Sequence, residues 1–315
     1  MFNMKIKSKF MAAAVGVALL AGSAVAEPVI GVTWYGQSGM AKRILGGMQE
    51  RNEELGNPVT FKLDTEKADK AAAKATIEGF IADGVAGVAA LRSTGGVLMK
   101  EMNISVPGFI GASNNPEQLG SVENMASPEG MITGVTYYLP HDTQMATFQN
   151  ILPEMQNILL VTDANHPAGA VDRDGVMSYC EANGLNCKHV AAETKDQVVP
   201  TIQEHEGSVD AVILGNQAKV FEDTAKVVNA TDLPVLSFSA KAVKEGALAA
   251  FAANDHKLGR YLTDSIVSVV VDGQSVGDVP VKTDEDPILS VNMTTAGELG
   301  VEVPYEILTT ANIVE

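Results

Sequence analysis

Short apolar runs rich in β-forming residues alternate with helical segments along almost the whole chain, and this rhythm constrains the fold more than any other feature. The runs cover residues 28–34, 59–63, 85–91, 106–112, 132–139, 158–162, 187–192, 211–214, 235–238 and 247–253. Strand, helix and strand again in such order is the pattern of repeated βα units, whose strands lie parallel. The run Ala211-Val212-Ile213-Leu214 is apolar at every position instead of alternating. A strand of that kind needs cover on both faces, which helices above and below a parallel sheet supply. The helices have readable ends: residues 68–82 stop at Asp83-Gly84, and residues 168–183 stop at Gly184. Glycine ends a helix because it adopts the left-handed conformation at no steric cost. The fold class is therefore α/β.

At 315 residues the chain exceeds one comfortable core, and domains of roughly 100–200 residues imply two lobes. No Gly/Ser-rich or Pro-rich linker separates the halves, so the lobes are expected to share crossing segments in a hinge and not to hang on a tether. The first residues carry an address. Lys5, Lys7 and Lys9 precede an apolar run from Phe10 to Leu20, and the small residues Gly22-Ser23-Ala24-Val25-Ala26 follow. This is the make-up of a secretory signal peptide cleaved after Ala26, its apolar core too short for a lasting membrane anchor. Residue 27 is glutamate and not the cysteine that lipid attachment requires, so a freely soluble periplasmic protein is expected.

Loss of residues 1–26 removes three lysines and no acid, moving the net charge from −17 to −20. An acidic excess of that size excludes nucleic acid and anionic membrane surfaces as partners. Cys180 and Cys187 are the two cysteines, and they flank a predicted helix-to-strand turn. In an oxidising compartment a local disulfide is expected between them; two reduced, buried thiols are the alternative. No His-Glu-x-x-His pair occurs, which speaks against a zinc hydrolase; no enzyme activity is expected. Asp172-Arg173-Asp174-Gly175 has the look of a calcium loop but lacks its remaining ligands and falls inside a predicted helix.

Several segments carry a family resemblance. Gly111-Ala112-Ser113-Asn114-Asn115-Pro116, Ile132-Thr133-Gly134-Val135, Ile158-Leu159-Leu160-Val161-Thr162-Asp163 and Glu245-Gly246-Ala247-Leu248-Ala249 resemble the ABC-transporter substrate-binding family that includes tryptophan and other aromatic amino acid binders. Near the C-terminus Ile288-Leu289-Ser290-Val291-Asn292, Ala296, Leu299-Gly300-Val301 and Val303-Pro304 are similar to that family's closing strand, helix and Pro-started helix, in order and spacing. The resemblance spans nearly all of residues 27–315. It implies the periplasmic binding protein-like I fold: two doubly wound parallel-sheet lobes joined by a three-crossover hinge near Tyr137, Ala252 and Asp284. Residues 27–137 plus 252–284 would form lobe 1, and residues 138–251 plus 285–315 lobe 2. The implied function is the periplasmic solute-binding component of an ABC importer, capturing an aromatic or other apolar amino acid by hinge closure. The expected partners are the small-molecule ligand and the inner-membrane permease, with no cofactor, no metal and a monomeric chain. The alternative is a sensor of the same fold that presents a sugar, nucleobase or signal molecule to a membrane receptor kinase.

Open α/β sheets bind ligands beyond the carboxyl ends of their strands, so the loops after the apolar runs supply the candidates. Trp34, Tyr35 and Gln37 offer an aromatic wall with an amide, although Trp34 serves equally as a core anchor. The resembled family usually has a Glu-His-Pro-like turn here, and its absence leaves the ligand class open. Ser93 and Thr94 stand at a helix start, where free N–H groups suit a carboxylate, or they merely cap that helix. Ser113 and Asn114 end the fourth run, as polar contacts or as turn formers. Of the adjacent pair Tyr137 and Tyr138 one must face away from the other, and Tyr138 is taken as the cleft residue. From the second lobe come Asp163, Asn165, His166 and Asn216, with Asp163 the natural partner for a ligand ammonium. The bland reading is that these residues cap helices or lie solvated. Ser239 and Asn254 complete the set. The resembled binders often carry an acid where this chain has Gly215, a departure that bears on the α-amino group.

Overall fold

The computed structural model describes residues 27–315, and the export segment read in residues 1–26 lies outside them. The chain first alternates strand and helix through β1 (Val29–Thr33), α1 (Gly39–Glu54), β2 (Thr60–Leu63), α2 (Lys70–Ala82), β3 (Gly87–Leu91), α3 (Ser93–Met102), β4 (Gly108–Ser113) and β5 (Ile132–Thr136). It continues through α4 (His141–Ile151), β6 (Asn157–Asp163), α5 (Ala168–Asn183), β7 (Asn186–Ala192), α6 (Val198–His205), β8 (Ala211–Leu214), α7 (Ala218–Phe221), α8 (Thr224–Val228), β9 (Val235–Ser237), α9 (Ala240–Lys244) and β10 (Ala249–Ala252). Helix α10 (Asp255–Val270) follows, and the chain ends with β11 (Ile288–Asn292), α11 (Met293–Leu299), α12 (Tyr305–Leu308) and β12 (Asn312–Val314).

These strands form two sheets, ordered β2-β1-β3-β4-β5 and β12-β11-β10-β9-β8-β6-β7. Every pairing in the first is parallel, and the second departs from parallel only between β10 and β11. That exception follows from the path: after α10 has packed on the first lobe, the chain enters the second sheet from the opposite direction. Both faces of each sheet are covered. In β3, Ala89 and Leu91 join one core while Val88 and Ala90 join the other; in β8, Ala211 and Ile213 divide from Val212 and Leu214 in the same way. This is the period-2 geometry of a strand between two helical layers. The result is two doubly wound α/β lobes.

Helix boundaries follow local chemistry. Asp69 starts α2 by accepting the Ala72 N–H at 2.8 Å, two residues later than the predicted start at residue 68. Helix α5 spans the predicted residues 168–183 and ends at Gly184 with φ of 68°. Cys180 and Cys187 are joined in a disulfide across that turn, with Cα atoms 6.1 Å apart, stapling α5 to β7. Among the described residues, no helix is long and apolar enough to cross a membrane.

The chain passes between the lobes three times, through residues 137–140, 253–254 and 271–287. The passages are tied together. The carboxylate of Asp284, fully buried, accepts the Asn254 N–H at 2.7 Å and pairs with Lys257 at 2.7 Å. Thr136 donates its N–H to the Lys282 carbonyl at 2.9 Å. Gln144 of α4 donates to the Phe251 carbonyl at 2.8 Å. Parallel strands of both lobes therefore point their carboxyl ends toward one gap, whose floor is this stitched crossing.

Candidate functional site

Between the lobes lie two cavities of about 120 and 340 Å³ and a narrow third of about 10 Å³. Tyr137 and Asn216 line all three, so the spaces adjoin one another between the lobes. The larger volume falls in the range of small-molecule sites, roughly 300–1,000 Å³. Lobe 1 contributes the start of α1 and the loop after β3; lobe 2 contributes the loop after β8 and the start of α9. Apolar surface comes from Met40, Phe221 and Phe238, with Tyr137 between them.

Arg92 is the most unusual wall residue. It sits between β3 and α3 with φ of 71° and ψ of 158°, a region that side-chain-bearing residues avoid. Its Nη1 donates to the Tyr35 carbonyl at 2.6 Å, and the guanidinium lies 5.9 Å from the Tyr35 ring centre. Burial lowers its pKa, with nearby Tyr35, Tyr137, Asp163 and Glu222 acting the other way; a guanidinium remains charged regardless. Tyr137 is also buried, and that burial pushes its hydroxyl far above the usual value, so it stays a neutral donor and acceptor. A hydrogen bond with Ser93 opposes the rise. Ser93 therefore acts from behind the wall: its Oγ also accepts the Asn114 N–H at 2.9 Å.

On the hinge side, Asp172 of α5 gathers both lobes. It accepts from Asn114 Nδ2 at 2.9 Å, from the Asn216 N–H at 3.0 Å and from Gln217 Nε2 at 2.5 Å. His141 Nε2 lies 3.4 Å away. Asn216, whose N–H is fixed in this way, leaves its amide oxygen buried with no hydrogen-bond partner among the described residues. A buried acceptor left unmatched costs about 1–3 kcal/mol, and at a cleft wall it is positioned to meet a guest's N–H.

A sequence model of the family described as ABC transporter substrate binding protein matches residues 35–315. The chain belongs to that family. Among characterised relatives of this substrate-binding protein, a tyrosine-binding protein of Clostridioides difficile is 20% identical over 264 residues, covering 83% of this chain and 76% of the relative. A solved ABC domain in complex with L-Trp from Streptococcus pneumonia superposes with a TM-score of 0.83 at 21% identity, covering 92% of this chain and 100% of that one. A ligand-free, open substrate binding protein with adhesive properties from Clostridium difficile gives 0.74 at 20% identity, with 91% and 99% coverage.

Within this family member, the residues singled out from sequence fall into three groups. His166, Asn216, Ser239 and Asn254 line the two main cavities, and Asn114 and Tyr138 the narrow one. Ser93 and Ser113 are fully buried behind the wall, Ser113 donating to the Asn114 carbonyl at 2.9 Å. The remaining residues stand off the cleft. Trp34 is 3% exposed within the lobe 1 core, on the same strand face as Ile30 and Val32. That alternation, visible in the sequence, was the signal for its placement. Tyr35 packs under Arg92, Gln37 and Asn165 are exposed, and Thr94 is outside the lining. Asp163 is held by Lys219 and accepts the Asn165 N–H at 2.8 Å. Tyr137, not Tyr138, faces the main cavities, because β5 ends at Thr136 and Tyr137 keeps the inward face of Val135. Arg92, Phe221, Glu222 and Lys241 were not anticipated as lining residues.

His166 gives the site a pH dependence. Its pKa is lowered to about 4, by burial first and then by Arg92 and Lys219, against the opposing pull of Asp163 and Asp172. Nδ1 accepts the Ala168 N–H at 3.2 Å, which only a ring unprotonated at Nδ1 can do. An unfolded chain protonates this ring near pH 6.5, so between pH 6.5 and 4 the unfolded state holds more protons. Stability then falls with falling pH: the contribution is complete above pH 6.5 and is lost toward pH 4, up to roughly 3 kcal/mol. His166→Asn keeps an acceptor near the Nδ1 position and should flatten this part of the curve. Thermal unfolding of both proteins between pH 7 and 4 checks it, and parallel curves would remove the assignment.

Proposed function

We propose that the protein captures an aromatic or other apolar α-amino acid outside the inner membrane and delivers it to an ABC importer by closing its lobes on the ligand. The observation that carries this reading is the cleft walled by both lobes, in which Tyr137 from the crossing and Asn216 from lobe 2 border every compartment. Contacts drawn from both lobes favour the shut form, so ligand shifts the population toward it and the permease meets a changed surface. The three stitched passages suit a hinge. The aromatic and aliphatic lining supports an apolar side chain, and relatives of the chain include a tyrosine-binding protein and a domain solved with L-Trp. The segment read in residues 1–26 supports export.

The test is a thermal-shift series with L-tyrosine, L-tryptophan, L-phenylalanine, L-leucine, representative sugars and nucleobases. A ligand present at 100 times its Kd adds about 2.7 kcal/mol, so the best aromatic amino acid should raise Tm by about 5 °C. The same ligand should reduce the radius of gyration in solution scattering. Stabilisation by sugars or nucleobases alone defeats the amino acid reading, and unchanged scattering with a stabilising ligand defeats closure.

A further inference from the structure

Four charged groups reach the smaller main cavity, and their pairing separates them. Arg43 is held by Asp255 at 2.7 Å and Lys241 by Glu245 at 3.0 Å. Arg92 and Glu222 have no ion-pair partner among the described residues, although both are partly buried and each lies within range of the other's field. Charges in a partly desolvated cavity are costly unless compensated. Two opposite charges that face one cavity without closing on each other match a guest that carries both signs.

Each charge has reinforcement from its own lobe. On lobe 1, the N-terminus of α1 at Ser38-Gly39-Met40 lines the same cavity. This helix has 16 residues and no acid in its first turn. Its Ala41 and Lys42 N–H groups are taken by Ser38 Oγ at 3.1 Å and the Ser38 carbonyl at 3.2 Å, which leaves the leading N–H groups of Gly39 and Met40 and the positive end of the helix dipole for an anion. On lobe 2, Asn216 supplies the buried amide oxygen that accepts nothing from the described residues. Lobe 1 thus offers donors and positive charge, and lobe 2, apart from Lys241 that Glu245 holds, offers acceptors and negative charge.

We infer that the cleft reads the zwitterionic head group of an α-amino acid across the two lobes, with Arg92 and the α1 N-terminus receiving the carboxylate and Glu222 with Asn216 Oδ1 receiving the ammonium. This rests on the amino acid reading above and deepens it. The ammonium receptor is then Glu222 and not Asp163, whose carboxylate is engaged by Lys219. It also gives closure a driving force, because one small ion pair satisfies a charge on each lobe only when the lobes approach.

The experiment is calorimetric titration at pH 7 of the wild-type protein, Arg92→Gln, Arg92→Lys and Glu222→Gln. The ligands are L-tyrosine and its two truncated analogues, tyramine and 3-(4-hydroxyphenyl)propionate. A hydrogen bond to a charged group corresponds to roughly 10- to 100-fold in affinity. L-Tyrosine should weaken by about that factor in Arg92→Gln and in Glu222→Gln, with Arg92→Lys between wild type and Arg92→Gln. Deleting the partner from the ligand should cancel the effect: tyramine should be insensitive to Arg92→Gln, and the propionate insensitive to Glu222→Gln. If L-tyrosine binds wild type and both glutamine variants within 3-fold, the head-group assignment is wrong while the amino acid reading stands. If the propionate binds wild type as tightly as L-tyrosine, the ammonium half is overturned. If wild type binds no L-tyrosine and none of the amino acids in the thermal series, both readings fail together.

Discussion

Replacing Asp172 with alanine should lower the stability of the protein by about 3–5 kcal/mol, seen in calorimetry as a fall in Tm of roughly 6–10 °C. Asp172 is 2% exposed and pairs with no lysine or arginine among the described residues. Its charge is spread over N–H donors: Asn114 Nδ2 on one oxygen, the Asn216 N–H and Gln217 Nε2 on the other, with His141 Nε2 close by. Alanine leaves three interior donors without an acceptor, each costing about 1–3 kcal/mol. Asp172→Asn restores one acceptor but turns an NH2 group toward donors, so it should fall between alanine and wild type. Ligand affinity should drop as well, because the same carboxylate fixes Asn216 on the cleft wall and reaches Asn114 on the other lobe. An alanine variant melting within 2 °C of wild type would show that this network is not what holds the cleft floor.

The sequence and the structure differ most where Asp172 lies. The run Asp172-Arg173-Asp174-Gly175 lies in a helix as expected, but its residue types do not show that Asp172 occupies the buried face of α5 or that its partner Asn114 is 58 residues away. Nothing local announces such a pair. The scaffold, by contrast, was open to inspection because it rests on local signals: the all-apolar run 211–214 is a strand buried at every position, and residues 168–183 with Gly184 behind them form a helix with those ends. Trp34, offered as a ligand wall or a core anchor, is the anchor: Ile30, Val32 and Trp34 alternate on one face and that face is the core. A tryptophan at a strand end draws attention toward ligands, but its strand register decides where it points.

Arg92 shows a different limit. Next to Ser93 and Thr94 it reads as the last residue before a capped helix, and a positive φ at arginine has no signature in composition or period. The structure gives it that backbone, with Ala112 of the adjoining strand end also at φ of 52° and lining the same cavity. Residues held in such conformations concentrate at sites where the fold must present a group to a ligand. Glu222 was hidden for a simpler reason. It follows the short helix α7, seven residues beyond the end-of-strand position Gly215, and the turn of helix between them carries it back to the cleft.

The second large effect concerns the helix that carries the cleft-facing N-terminus. Helices α1 and α10 meet backbone to backbone at two glycines: a Cβ on Gly47 would lie 2.0 Å from the His256 carbonyl oxygen, and one on Gly259 would lie 2.1 Å from the Ile44 carbonyl oxygen and 3.0 Å from the Met48 nitrogen. No rotamer relieves a clash with main chain, so Gly259→Val must push the helices apart and open the contact among Ile44, Met48, Leu258 and Leu262. Overpacking combined with lost core contact should cost about 3–5 kcal/mol. Gly79→Ala sets the opposite expectation, since its Cβ would meet nothing within 4 Å on the exposed side of α2, and it should gain about 0.5–1 kcal/mol from helix propensity and a less flexible unfolded chain. Denaturant unfolding of the two variants beside wild type compares the signs directly. Separation of α1 from α10 would also shift Ser38, Gly39 and Met40 and strain the pair between Arg43 and Asp255, so Gly259→Val should lose ligand affinity under conditions where it remains folded. A Gly259→Val protein as stable as wild type would mean that the two helices do not approach this closely, and the placement of the α1 N-terminus at the cleft would fall with that contact.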